Sequence, residues 1–408
     1  MNSPPPIQKR SFIVTLGLLT GMAAFTVDAS LPAVPAMVEA LTTSLSRGQQ
    51  IVGIFMFGMA FGQIPAGLVS DRVGRLPVLY TGMALFLVGA IASALADNIE
   101  VMLIGRFVQG FGAAPAIVLS RAIVRDISSG KAAARLMSLM TMIFTVAPVI
   151  APSIGALLVA RWGWRAPFIM IVFLGVLITF GVYRYLDETH TPDAGQHPVR
   201  QLKSSFSEFF SHRQSIFGLL LIIMPPAGFM SMIALAAALV VEIYGFSITQ
   251  FGLIFATAGI SILIGSAINR LLVTRLDSMQ IIAIGVSLYG ISGVSLLIMA
   301  WLNSAPFVLL WGSVCLFMAS VAIVMPNATV IALDPLPKIA GVASSIIGTT
   351  QNIIGASGAF LGAAIYNGTV RNSVVIMGTV GVLVVLVYLL RPVLCPQVVH
   401  HPDELARD

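Results

Sequence analysis

The sequence predicts an all-α membrane protein of twelve transmembrane helices, arranged as two six-helix bundles with both termini in the cytoplasm. Three observations predict it. Only 9% of the 408 residues are charged and 58% are hydrophobic, whereas soluble domains carry about 25% charged residues. The apolar stretches run about 19 to 28 residues, long enough to cross a hydrocarbon core about 30 Å thick as helices. The lysines and arginines fall almost entirely on one side of the resulting topology. A transmembrane β-barrel requires shorter segments of alternating polarity, and none is present.

In chain order, the apolar windows and their glycine, proline and charge punctuation place the first six spans at 11–37, 49–69, 77–96, 100–122, 134–160 and 165–186. The first follows Lys9 and Arg10 as a signal peptide would, but it is too long for one and Asp28 interrupts it, so it reads as an uncleaved helix. A polar segment from Asp187 to Arg213, containing Pro192 and Pro198, is the one long linker. Six further spans follow at 215–241, 249–272, 279–301, 306–332, 340–366 and 373–394. The expected organisation is therefore an amino-terminal bundle over 1–186, a cytoplasmic linker over 187–213, a carboxy-terminal bundle over 214–394 and a cytoplasmic tail over 395–408.

Orientation follows from the excess of lysine and arginine on cytoplasmic loops. With the amino terminus inside, the only basic residues elsewhere are Arg47, Arg161, Arg165 and Arg371 outside and Arg106 within a span. The net charge of +6 thus reflects topology and not nucleic-acid binding. The two cysteines, Cys315 and Cys395, make neither a disulfide framework nor a metal-ligand spacing. All five histidines fall in loops or tails, which excludes a buried histidine relay; His400 and His401 read as part of a solvated tail. No His, Asp or Glu cluster suggests an enzyme, and no ring of charge or filter loop suggests a channel. The halves echo each other weakly: Gly67, Asp71 and Arg72 after the second span correspond to Gly265, Asn269 and Arg270 after the eighth. Duplicated membrane halves mark transporters that rock about a midplane site.

Four stretches carry chemistry. Leu103 to Ala114, LIGRFVQGFGAA, places Arg106 about six residues beyond Glu100, roughly 9 Å into an apolar span. A cation there costs on the order of 3 kcal/mol unless it faces a wet cavity or an acidic partner. Gly67 to Leu79, GLVSDRVGRLPVL, is a tight charged turn in which Asp71 can pair with an arginine or a helix amino terminus. An ordinary positive-inside loop accounts for part of that pattern. Ala147 to Leu158, APVIAPSIGALL, contains Pro148 and Pro152, which each remove a backbone donor and bend the helix, and Gly155, which admits a neighbouring helix. Packing alone accounts equally for such a kink. Asp28 to Pro35 reads DASLPAVP.

These stretches resemble motifs of the major facilitator superfamily, in particular its drug:proton antiporters. Gly67, Asp71, Arg72, Gly74, Arg75 and Leu79 match the loop motif G-x-L-x-D-R-x-G-R-(R/K)-x-x-L, with Leu76 where a second basic residue is usual. Arg106, Gln109, Gly110, Gly112, Ala113 and Ala114 match the fourth-helix motif. The fifth-helix stretch is similar to the prolyl variant of the bicyclomycin/chloramphenicol (Bcr/CflA) group. DASLPAVP resembles that group's D-M-Y-L-P-A-L-P, with Ala29 and Ser30 replacing methionine and tyrosine.

The resemblance implies a proton-coupled antiporter exporting small amphipathic drugs or antibiotics across the bacterial inner membrane. An exporter or importer of a specific metabolite on the same fold is the alternative. It implies a conformational latch at Gly67, Asp71, Arg72, Gly74, Arg75 and Asp126, a hinge at Pro148, Pro152 and Gly155, and helix packing at Gln109, Gly110 and Gly112. No enzyme activity, metal or cofactor is expected beyond the coupling proton. The expected partners are a small-molecule substrate and the lipid bilayer, with no nucleic acid, and the protein is expected to act as a monomer.

Of the sixteen Asp and Glu residues only Asp28 lies deep within a span, about nine residues or roughly 13 Å below the outer surface. It is the candidate proton carrier and a candidate substrate contact. Arg106 lies at a similar depth, so a pair between them is geometrically possible, either as a proton-coupling switch or as a static ion pair. Substrate contacts are expected from Phe55, Met140, Phe144, Phe229, Met230, Phe255, Asn327, Gln351 and Asn352. Methionine and phenylalanine adapt to varied apolar ligands, and buried amides orient a polar handle. Each of these residues also has an ordinary packing explanation.

Overall fold

A computed structural model of the chain describes residues 10–128, 130–190, 206–303, 305–336 and 339–394. At 10, 130–135, 138, 141–142, 144–145 and 340–341 it describes only the backbone. The described residues form helices joined by short connections, with no strand among them. The first half forms α1 (Arg10–Ser30), α2 (Leu45–Val73), α3 (Arg75–Ala94), α4 (Ile99–Ile127), α5 (Gly130–Trp162) and α6 (Ala166–Tyr185). The second half forms α7 (Arg213–Ala237), α8 (Ile248–Leu272), α9 (Ser278–Leu302), α10 (Phe307–Leu333), α11 (Ala340–Ile365) and α12 (Val370–Leu389). Among the described residues ten segments are long and apolar enough to cross a membrane. The helices α5 and α11, of 33 and 26 residues, complete the two sets.

Several ends differ from the apolar windows because capping chemistry, and not hydropathy, terminates a helix. The second span starts at Leu45, where the Ser44 hydroxyl accepts the Arg47 N–H at 3.3 Å. Asn98 caps α4 in the same way through Val101 N–H at 2.9 Å, and that helix runs on to Ile127, past the predicted 122. Capping boxes at Ser247/Gln250 and Asp277/Gln280 start α8 and α9. The first span continues through a 3-10 turn, Leu31–Ala33, into a short helix, Val34–Ala40, because Pro32 and Pro35 cannot donate to the α-ladder. The predicted last span, 373–394, is instead α12 followed by a separate turn, Arg391–Leu394, with Pro392 barring continuation. Within the predicted linker, residues 206–211 are helical.

Small residues set the helix spacing inside the first half. Lipid offers no hydrophobic gain for helix association, so close backbone approach supplies the packing energy. Gly58 and Gly62 of α2 face the Phe107 and Phe111 backbone of α4, and Gly110 of α4 faces the Phe55 carbonyl of α2. Gly82 and Gly89 of α3 meet Gly112, Gly105 and Gln109 of α4. Helix α4 is thus clasped between α2 and α3, and Arg106 sits in the middle of the clasp.

The halves meet along two seams, α2 against α11 and α5 against α8. On the first, Ser46 donates to the Ala363 carbonyl at 2.6 Å, and the Phe57 and Phe360 rings lie 5.3 Å apart. On the second, Ser153 donates to the Gly252 carbonyl at 3.1 Å. Both hydrogen bonds lie at the end of the molecule that is poor in lysine and arginine. At the opposite, basic end the halves enclose a cavity of about 400 Å³. The protein is closed at one end and hollow at the other.

Candidate functional site

Arg106 is fully buried. Its Nη1 donates to Gln109 Oε1 at 2.9 Å, one turn along α4, and its Nε donates to the Ile51 carbonyl at 3.4 Å. Its Nη2 reaches Ser30 Oγ at 3.5 Å. The guanidinium lies over the Phe55 ring, 4.6 Å from its centroid, and 6.0 Å from that of Phe168. A cation is thus held in the interior by amide, carbonyl, hydroxyl and ring faces, a cation–π arrangement strengthened by desolvation.

Asp28 is 5% exposed and has no hydrogen-bond or ion-pair partner among the described residues. The pair considered between Asp28 and Arg106 is therefore not made in this conformation. Helix geometry gives the reason. Residues two apart on α1 point to nearly opposite sides, so Ser30 facing Arg106 turns Asp28 away. Close by, Thr26 Oγ1, one turn before Ser30, and Gln109 Nε2 are buried without a protein partner among the described residues. The site therefore combines a lone carboxyl, a caged cation and spare polar groups inside a membrane bundle.

The charged turn between α2 and α3 forms a compact network. Arg75 is buried and bonds Asp71, Asp126 through Nε at 3.0 Å, and Ser70 Oγ at 2.8 Å. Gly74 adopts φ +100°, a conformation that favours glycine. Arg72 is exposed. An added Cβ at Gly67 would find its nearest neighbour, Val118 Cγ1, at 3.9 Å, so that glycine is not required by crowding.

Glu188, just beyond α6, belongs to no motif in the sequence. It accepts the Arg75 and Leu76 N–H groups at 2.9 Å each and so caps the amino terminus of α3, which has no cap of its own. Thr189 then donates to Asp126 Oδ2 at 3.2 Å, and the His190 ring lies 3.1 Å from the Asp71 carbonyl. A carboxylate facing a capless helix start was the available signal, but only the fold brings the two together.

Burial pushes the Glu188 carboxyl up, yet the N–H groups of Arg75, Leu76, His190 and Thr189 outweigh it and hold the group below its ordinary value. The folded state therefore binds this proton less readily than the unfolded chain. Its stabilisation is complete above the ordinary glutamate range and is lost as pH falls through the lowered value. Glu188→Gln is expected to lower stability by about 1 kcal/mol at pH 7, a loss that vanishes in acid. Thermal unfolding of the detergent-solubilised protein against pH checks it; equal melting of the two proteins at pH 7 would refute the cap.

Pro148 and Pro152 of α5 lie on the seam with α8, where backbone around each packs on Gly259 and Gly252 respectively. Gly155 faces the Ala29 carbonyl of α1. The two α8 glycines lie seven residues apart, on one face of that helix.

Of the expected substrate contacts, none lines the 400 Å³ cavity. Phe55 supports Arg106, and Met140 is buried. Phe229 and Met230 are half-buried; Met230 approaches Gly355 together with Met56. Phe255 packs on Phe251 and Trp311. Asn327 donates to Asn269 Oδ1 at 2.7 Å and to the Ile323 carbonyl at 2.8 Å. Both of its N–H donors are thereby used, and the weak sequence echo at Asn269 becomes a neutral counterpart of the Asp71 network. Gln351 and Asn352 are half-buried, with Asn352 donating to the Gly348 carbonyl at 3.1 Å. The Phe144 side chain lies outside the described residues. The cavity is lined instead by Gln63, Leu68, Asp71, Arg125, Phe206 and Ile346 among others.

Two helical sets closed at one end, with ionisable groups held inside, define a multi-pass membrane transporter. Residues 16–359 match the Major Facilitator Superfamily, and the chain belongs to that family. It is 29% identical over 377 residues to the "Bicyclomycin resistance protein homolog" of Haemophilus influenzae, covering 92% of this chain and 94% of that one. It is 26% identical to "Multidrug resistance protein D" of Escherichia coli, covering 93% and 95% respectively. Among solved structures, a D-xylose–proton symporter superposes with a TM-score of 0.74 at 19% identity, covering 93% of this chain and 96% of the other. A bacterial homologue of the human lysosomal transporter Spinster superposes with a TM-score of 0.75 at 14% identity, covering 98% of this chain and all of its own.

Proposed function

We propose that this protein exports small amphipathic drugs or antibiotics across a bacterial inner membrane in exchange for protons, by alternating access. It acts as a monomer with no cofactor beyond the proton, and its basic end faces the cytoplasm. The observation that carries the reading is Asp28: a carboxyl buried in the first bundle, without a partner among the described residues and two residues from Ser30, which touches a buried cation. Such groups inside membranes belong to proton and substrate pathways. The names of the bicyclomycin- and multidrug-resistance relatives support the substrate class.

In this reading Asp28 takes a proton from outside and loses it inward as substrate loads. Arg106 modulates the exchange by leaving or regaining its cradle of Gln109, Ser30 and Ile51. The Asp71–Arg75–Asp126 network serves as the latch by holding the cytoplasmic ends of α2, α3 and α4 together within the first half, and α5 flexes at Pro148 and Pro152 along the seam with α8. The test is a panel of structurally different antibiotics on cells expressing the protein, with and without a protonophore. Protection against at least one compound, abolished by the protonophore, is expected; no protection across the panel refutes the substrate class.

Arg106→Lys is expected to slow proton-driven export by on the order of tenfold. Lysine keeps the charge but cannot satisfy three acceptors in the guanidinium plane, and losing about one charged hydrogen bond is worth about a factor of ten. Transport assays in inverted vesicles, alongside membrane expression levels, read this out. Unchanged rates would show that charge alone suffices.

A further inference from the structure

The cavity at the basic end is distinct from the midplane residues assigned to substrate above. It runs from Gln63 to Asp71 along α2 and from Val118 to Asp126 along α4, in each case eight residues or about 12 Å. Its volume of about 400 Å³ falls in the range of small-molecule sites, roughly 300 to 1,000 Å³. Its walls come from both halves, with Val342 and Ile346 of α11 opposing α2 and α4, and its one aromatic side chain, Phe206, comes from the linker.

Four ionised groups line it: Asp71, Arg75, Arg125 and Asp126. Two are largely spent. The Arg75 side chain is 9% exposed and saturated by Asp71, Asp126 and Ser70, and Asp126, at 20%, is engaged by Arg75 and Thr189. The other two are open. The Asp71 side chain is 58% exposed, and Arg125 is exposed and makes no ion pair among the described residues. The cavity thus presents one accessible carboxylate from α2 and one accessible guanidinium from α4, beside an apolar wall of Ile64, Leu68, Val118 and Ile346.

We propose that this cavity is a cytoplasmic loading site for small zwitterionic amphiphiles. The apolar body lies against Phe206 and Ile346, the cationic centre faces Asp71 and the anionic group faces Arg125. A ligand of a single charge meets a like charge among the open groups, whereas a zwitterion satisfies both. Occupancy also draws Asp71 from Arg75, so loading biases the network that joins α2, α3 and α4. The inference rests on the export reading for direction, but its test does not.

The test is fluorescence titration of the full chain in lipid nanodiscs, without any gradient, using three probes that share one fluorophore. Nε-dansyl-lysine is zwitterionic, dansylcadaverine retains the amine alone, and dansylglycine retains the carboxylate alone. Dansyl-lysine is expected to bind about tenfold tighter than either of the others, one charged contact being worth about that factor. Arg125→Gln, at an exposed position, removes that advantage, while dansylcadaverine, relieved of a like charge, binds as tightly as before or tighter. Phe206→Ala weakens all three. Equal affinity for dansyl-lysine and dansylcadaverine in the wild type, or an Arg125→Gln variant that keeps the preference, overturns the site. Because no proton gradient is present, either failure leaves the proton-exchange reading to be judged by its own transport experiments.

Discussion

Asp28→Asn is expected to reduce proton-driven, uphill export to the level of vesicles lacking the protein, while exchange of substrate down its own gradient persists. Asparagine keeps the size and the polar surface of the carboxyl but binds no proton, so the carrier can still cycle but cannot couple. The expectation follows from the isolation of the group: Asp28 has no hydrogen bond or salt bridge in the described structure, so its removal orphans no partner and folding is preserved. Inverted vesicles energised with an acid interior give the uphill rate, and counterflow with labelled substrate gives exchange. Retained uphill export would move the coupling site elsewhere. Loss of both activities with normal expression would mean that Asp28 binds substrate and is not specifically a proton carrier.

The second large effect concerns packing. Gly110→Ala is expected to prevent accumulation of folded protein, because an added methyl on α4 overlaps the Phe55 carbonyl of α2. Backbone cannot swing aside as a flexible side chain does, so α2 and α4 must separate, and the Phe55 ring leaves Arg106. Overpacking of this kind, compounded by an uncovered buried cation, costs upward of about 4 kcal/mol. The same substitution at Gly312 of α10 meets nothing within 4 Å. It replaces a helical glycine by a better helix former and is expected to be neutral or stabilising by up to about 1 kcal/mol. Size-exclusion profiles and melting of fluorescent fusions in detergent distinguish the two. A Gly110→Ala protein as stable as the wild type would mean that the α2–α4 contact is looser than the structure has it.

The arrangement of spans was legible because lipid leaves a chain few options: long apolar windows must be helices. Their ends were less legible, since Ser44, Asn98 and Pro392 act through backbone hydrogen bonds that hydropathy does not register. Within the site, depth could be read but direction could not. Counting residues put Asp28 and Arg106 at one level; the rotation of α1, which sends Ser30 and not Asp28 to the guanidinium, depends on the helix packing. Phe55 and Asn327 show the same limit. Their residue types suited a ligand, yet one serves Arg106 and the other Asn269, partners on neighbouring helices that no local pattern reveals. Glu188 was missed for the converse reason: it belongs to a linker, and its importance comes from meeting the start of α3 more than a hundred residues earlier.

The seams that close the outer end carry a consequence for how this machine responds to its surroundings. All four ion pairs among the described residues lie within the first half, and none bridges the halves. The outer closure rests on serine-to-carbonyl bonds, glycine contacts and rings. Screening acts on separated charges and leaves neutral contacts of this kind nearly untouched. A shift between dilute and saline media therefore changes little at these seams, and among the described residues the pairs Arg47–Glu100 and Arg165–Asp97 titrate within the first half without prising the halves apart.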